Sequence, residues 1–142
     1  MKRFPVIGVL CVGAAFGLAA CSDGNGSPSE EATKAAAEAC SDLTELRADN
    51  AKLKALDPAA ATKDQVKDAY DAVREDWEGV KDELGKLREA ERAAVQSASD
   101  DLKKAYEDLP GDTTGKDALT KLQPQIQKLE ETSAAAAAGL QC

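Results

Sequence analysis

The chain has 142 residues and a formal charge of −8 at pH 7, with 43% hydrophobic, 31% charged and only 4% aromatic residues, which fits one modest domain and excludes a large multidomain enzyme. Histidine is absent, so the side chain most used for proton transfer near neutral pH and for metal ligation is missing. The acidic balance repels phosphates, and no basic stripe with interleaved aromatics offsets it, which argues against nucleic acid as a partner.

Met1, Lys2 and Arg3 form a short positive region, followed by an uncharged apolar or small-residue stretch from Phe4. That order is the pattern of an export signal. The stretch closes on Leu18-Ala19-Ala20-Cys21, after which Ser22-Asp23-Gly24-Asn25-Gly26-Ser27-Pro28-Ser29 is polar and rich in turn formers. The junction resembles the lipobox of bacterial lipoproteins. The resemblance covers residues 1–21 and implies, for Cys21 alone, a thioether-linked diacylglycerol, cleavage after Ala20 and a mature chain that starts at Cys21. Cys11 fits less well, because Leu10 before it is bulky. The alternatives are an uncleaved membrane-spanning anchor or an ordinary secretory signal. An apolar stretch of about 17 residues lies at the bottom of the spanning range, and its small-residue end points to cleavage. The first 20 residues carry two bases and no acid, so the body left after cleavage is more acidic still. Charge would not hold it at an anionic membrane, which leaves lipid as the anchor. The expected organisation is a signal peptide over 1–20, a flexible tether over 21–29 and a helical domain over 30–142.

In the first predicted helix, 30–56, the residues Ala32, Ala36, Ala39, Leu43, Leu46, Leu53 and Leu56 recur at steps close to three and four. Ser29 is the expected N-cap, and Asp57-Pro58 ends the helix, since a residue before proline is pushed out of the α region. Asn50 falls on the apolar stripe and reads as a register-setting polar residue. Thr62-Lys63-Asp64-Gln65 has the capping-box spacing that opens a second helix, predicted over 63–109. Its stripe is Val66, Tyr70, Val73, Trp77, Val80, Leu84 and Leu87, resuming beyond Glu91 at Val95, Ala98 and Leu102. The two consecutive four-residue steps around Glu91 resemble a coiled-coil stutter. Gly79 and Gly85 weaken this helix, and a bend near 95–99, where Ser97, Ser99, Asp100 and Asp101 could cap a new segment, is the alternative to continuity. Pro110-Gly111-Asp112 predicts a turn, and Thr114 with Asp117 caps a third helix over 114–140. That helix carries Leu119, Leu122, Ile126, Leu129, Ser133, Ala136 and Leu140 on one face, with Pro124 expected to bend its first turns.

With Cys21 lipidated and Cys11 removed, Cys40 and Cys142 are the remaining pair in an oxidising compartment. Folding the chain back at each turn brings both to the level of Gly79 and Val80 on the middle helix, which predicts a Cys40 to Cys142 disulfide. There is no Cys-x-x-Cys spacing or histidine to mark a redox-active thiol.

No catalytic constellation stands out. The acids lie between apolar positions on helices, three or four residues from bases, as in Asp82 with Lys86 and Asp117 with Lys121. No calcium loop is present, so no metal or other cofactor is expected. Gly111 to Asp117 superficially resembles a phosphate loop, but Asp117 stands where a hydroxyl is required. Tyr70, Trp77 and Tyr106 are the aromatics downstream of the signal. They read first as core, and second as part of a stripe left uncovered for a partner. The fold class predicted is all-α, an antiparallel up-down-up bundle with a long middle helix. Overall the chain resembles the small, alanine-rich, acidic lipoproteins of high-GC Gram-positive bacteria. The expected function is a non-catalytic protein, anchored through acylated Cys21 on the extracytoplasmic face of the cell membrane, that serves as a helical scaffold or binds a protein partner through Tyr70, Trp77 and Tyr106. The rival is a lipoprotein that binds or senses a small ligand between helices near Trp77 and Gly79.

Overall fold

The computed structural model describes residues 28–142. The expected signal peptide, Cys21 and all but the end of the expected tether lie outside the described residues; the last two residues of that tether, Pro28 and Ser29, belong to the first helix and are not a flexible link. Those residues form four helices and, among themselves, no strand: α1 (Pro28–Lys54), α2 (Lys63–Glu83), α3 (Glu89–Glu107) and α4 (Gly115–Leu140). No helix among them is long and apolar enough to cross a membrane.

The chain reaches this arrangement through local chemistry that the sequence carries at each end. Helix α1 opens on Pro28, whose missing N–H costs nothing in a first turn. Glu30 and Glu31 sit at its start and Lys52 and Lys54 at its end, each sign opposing the local end of the helix dipole. In the following turn the Ala59 amide donates to the Asp57 carboxylate at 2.9 Å. Helix α2 then opens on the predicted capping box: the Gln65 amide donates to Thr62 Oγ1 at 3.2 Å, and the Thr62 amide donates to Gln65 Oε1 at 2.9 Å. Thr114 caps α4 in the same manner, accepting from the Asp117 amide at 3.2 Å while its hydroxyl donates to the Asp117 carboxylate.

The stretch read as one middle helix over 63–109 is divided. After Glu83 the chain makes a single 3-10 turn at Leu84–Lys86, and Leu87 and Arg88 are extended, with ψ of 151° and 148°. The break lies upstream of the 95–99 segment considered above, so Ser97 and Ser99 are interior to α3. Gly85 is where helix propensity is lowest. Folding back there also lets the two halves of the stripe cover one another. Tyr70 of α2 stacks on Tyr106 of α3, with ring centroids 3.8 Å apart and planes 8° from parallel, and Leu87 is buried at the corner. What reads as a stutter at Glu91 is the start of a new helix running back.

The result is an up-down-up-down bundle. α1 packs on α2 and α4, and α3 packs on α4. The antiparallel course of α1 and α4 is marked by the Cys40 to Cys142 disulfide at one end and by Lys54 against Glu130 at 2.5 Å towards the other. The core takes Leu43, Leu46 and Leu53 from α1, Val66 to Val80 positions from α2, Val95, Ala98 and Leu102 from α3, and Leu119, Leu122, Ile126, Leu129 and Ala136 from α4. α4 runs through Pro124 as one helix. Asn50 is 1% exposed and donates through Nδ2 to the Ile126 carbonyl at 2.9 Å, a directional bond across the α1/α4 seam that fixes one height of the pair.

Candidate functional site

The disulfide sits where α2 gives way to α3. Asp42 lies against Gly79, and the Glu91 carboxylate lies over Gly139, so Cys40 reaches the C-terminal end of α2 while Cys142 reaches the N-terminal end of α3. α4 closes on a left-handed residue, Gln141 with φ 63°. There the Cys142 amide donates to Ala137 O at 2.9 Å and the Gln141 amide to Ala138 O at 3.1 Å, a Schellman closure that turns the last residue sideways. That turn brings Cys142 to Cys40, with Cα atoms 5.6 Å apart. The predicted pairing is present, although the two cysteines meet across the α1/α4 seam and not over a continuous middle helix.

The three aromatics gather on the α2/α3 face. Trp77 is 8% exposed and Tyr70 4%, so neither projects as a flat docking surface. Tyr106 is half-buried. Between α2 and α3 these helices leave a cleft of about 100 Å³, floored by Tyr70, Val73, Trp77, Leu102 and Leu129. Ser99, 6% exposed, lines it, and its Oγ has no hydrogen-bond partner. Gly79, expected near such a cavity, lies instead on the side of α2 that faces Asp42. At the mouth stand Arg74, Glu78 and Lys81 from α2 and Asp100 and Lys103 from α3. The Lys81 ammonium, 2.7 Å from Glu78, together with the charges of Lys103 and Arg74, holds the Glu78 carboxyl below its ordinary range. A second hollow, of about 280 Å³, lies at the far end of the bundle, where Tyr106 and Leu109 meet Pro110, Thr113 and Lys63.

Sequence reasoning missed Ser99, which reads as a helix cap, and it missed Asp76. All acids read as solvated, yet Asp76 is half-buried between α1 and α2, and its Oδ2 has no partner. Burial first, then the nearby charges of Asp49 and Glu45, push its pKa up to about 6. Its place beside Trp77, next to the apolar stripe, is the signal that could have found it. The unfolded chain releases this proton near 3.8 and the folded chain near 6. The stabilisation from protonated Asp76 is therefore complete below about 3.8 and is lost as pH rises through about 6. The shift sets a ceiling of about 3 kcal/mol, which solvent screening of a partly exposed group reduces to about 1–2 kcal/mol. Asp76→Asn, whose amide is uncharged at every pH, is expected to gain that amount relative to the native chain between pH 4 and pH 7.5. Urea midpoints at the two pH values measure it; a difference that does not change with pH would refute the assignment.

The fold and its cross-link define a disulfide-stapled, all-helical bundle. Comparison with protein-family models, with curated proteins and with solved structures found no match.

Proposed function

We propose that this chain is a non-catalytic cell-envelope protein, anchored by lipid at Cys21 on the extracytoplasmic face of the membrane, whose bundle acts as a scaffold or binding module. The observation that carries this reading is the Cys40 to Cys142 disulfide. Such a bond persists in oxidising, extracytoplasmic compartments and is rare in a reducing cytosol, which agrees with the export signal and lipobox-like junction of the first 21 residues. The absence of histidine from the whole chain supports a non-catalytic role.

A second reading, a module for a small ligand, is favoured by the cleft. Tyr70 and Trp77, offered by the sequence as partner contacts, are buried and line it, and the unpartnered Ser99 hydroxyl lines the same space. Pockets of this kind combine an apolar floor with a few placed polar groups.

Cell fractionation with intact-mass measurement tests the anchor. The native chain is expected in the membrane fraction, beginning at an acylated Cys21, with two thiols that appear only after reduction. Cys21→Ser is expected to lose the acyl mass, and any of it that remains in the membrane fraction is expected to be the uncleaved precursor that still carries residues 1–20. A native chain without the acyl mass or without cleavage after Ala20, or a Cys21→Ser chain that is cleaved there and still stays at the membrane, would overturn the reading.

A further inference from the structure

The chemistry of the cleft between α2 and α3 narrows its occupant, an inference that rests on the small-ligand reading above. Its floor is apolar and aromatic, so the body of the occupant is apolar. A buried hydroxyl without a partner costs free energy unless something in the space bonds to it, so the occupant carries a polar atom that Ser99 Oγ can reach. The sign of the mouth is the third constraint. In a chain with a large acidic excess, three bases from two helices, Arg74, Lys81 and Lys103, surround the one carboxylate of Glu78, with Asp100 the only other acid at the mouth. Lys81 is held tightly by Glu78. Arg74 and Lys103 meet acids of their own helices, Asp71 and Glu107, only at 3.8 and 3.9 Å, contacts that a better-placed anion would displace. A volume of about 100 Å³ is smaller than the roughly 150 Å³ of an enclosed cavity that holds benzene, so the cleft takes at most one small ring or a short branched chain, with the polar end of the occupant left outside at the mouth.

We propose that the α2/α3 cleft binds a small apolar carboxylate, its body on Trp77 and Tyr70, its carboxylate between Arg74 and Lys103 at the mouth, and a polar atom within reach of the Ser99 hydroxyl. Such a molecule has the size of a monocyclic aromatic or short branched aliphatic acid. The charge at the mouth selects it over neutral and cationic analogues of the same shape.

Trp77 is the only tryptophan of the chain and lines the site, so its emission reports occupancy directly. Benzoate, benzamide and benzylamine share one ring and differ in charge. Titrated into the folded, disulfide-intact protein, benzoate is expected to change Trp77 emission saturably in the range of about 0.1 to 1 mM, benzamide at least about 5-fold more weakly, and benzylamine not measurably. The double variant Arg74→Gln, Lys103→Gln alters only exposed side chains and is expected to keep the native melting temperature while losing about 10-fold in benzoate affinity. Ser99→Ala is expected to lose about 3-fold. The proposal fails if benzoate gives no saturation by about 20 mM, if benzylamine binds as well as benzoate, or if the double variant binds benzoate as the native chain does. Binding of benzamide equal to that of benzoate would overturn the carboxylate assignment while leaving the small-ligand reading intact, and none of these outcomes bears on membrane anchoring, which the Cys21→Ser fractionation decides separately.

Discussion

Cys40→Ser is expected to lower the melting temperature of the oxidised protein by about 10–20 °C, and Cys142→Ser by the same amount. The two cysteines are 102 residues apart in sequence, and a cross-link closing a loop of that length restricts the unfolded chain by roughly 4.7 kcal/mol in the chain-entropy model. Native bonds deliver part of that figure, so a loss of about 3–4 kcal/mol is expected, each kcal/mol moving the transition of a domain this size by about 3–5 °C. The core is built mainly on leucine, with smaller valine and alanine between, and whole-domain stability is only about 5–15 kcal/mol, so the bridge is a large share of the total. Scanning calorimetry of the native chain, each variant and the reduced native chain provides the check. The reduced native chain is expected to melt with the variants, and coincidence of the variants with the oxidised native chain would remove the argument.

Gly115→Ala is expected to destabilise the bundle by about 2–3 kcal/mol, in the range of overpacked cores. Gly115 is the buried first residue of α4, and a Cβ there would overlap the Ala61 carbonyl oxygen and lie 2.7 Å from the Thr62 carbonyl carbon. Both obstacles are backbone, and Thr62 is tied down as the N-cap of α2, so nothing can give way. The start of α4 thus rests directly on the turn between α1 and α2. Gly85→Ala is the matched control: no atom lies within 4 Å of its Cβ position and its φ is not positive. There the substitution restricts the unfolded chain and is expected to stabilise by about 0.4–1 kcal/mol. Urea unfolding with an unchanged denaturant slope measures both. Equal effects at the two glycines would contradict the packing described.

The helices were legible wherever the apolar period and the end chemistry agreed. Thr62 with Gln65 and Thr114 with Asp117 mark starts that the structure places within a residue of the expectation, whereas α1 ends at Lys54, two residues short of the expected Leu56 before Asp57-Pro58, and begins at Pro28, so Ser29 is inside the helix and not its cap. The corner at 84–88 was not legible for a specific reason. Leu84 and Leu87 keep the helical spacing across it, because the bundle partly buries the first and buries the second, so the pattern never lapses and only Gly85 hints at the turn. Fold-back changes which helices meet but not the height at which they do so. Cys40 and Cys142 therefore still come together, one beside the end of α2 and the other beside the start of α3. Ser99 and Asp76 were hidden because polar residues near an apolar stripe look like caps or solvated faces until a neighbouring helix covers them.

The Cys40 to Cys142 bridge also has a mechanical meaning. The chain enters the bundle along α1, and anything that drags on the body while the N-terminal side is held pulls on that helix lengthwise. Without the bridge, α1 would resist only through non-covalent contacts, its side-chain packing with the Asn50 to Ile126 hydrogen bond and the Lys54 to Glu130 ion pair, and could be drawn out of its seat between α2 and α4. With it, the pull passes at Cys40 through the sulfur atoms into α4, and the segment from Leu43 to Leu53 that fills the core lies behind the knot. The bundle then acts as a covalent loop hung from a single strand, and a pull that reaches Cys40 loads α4 together with the rest of α1.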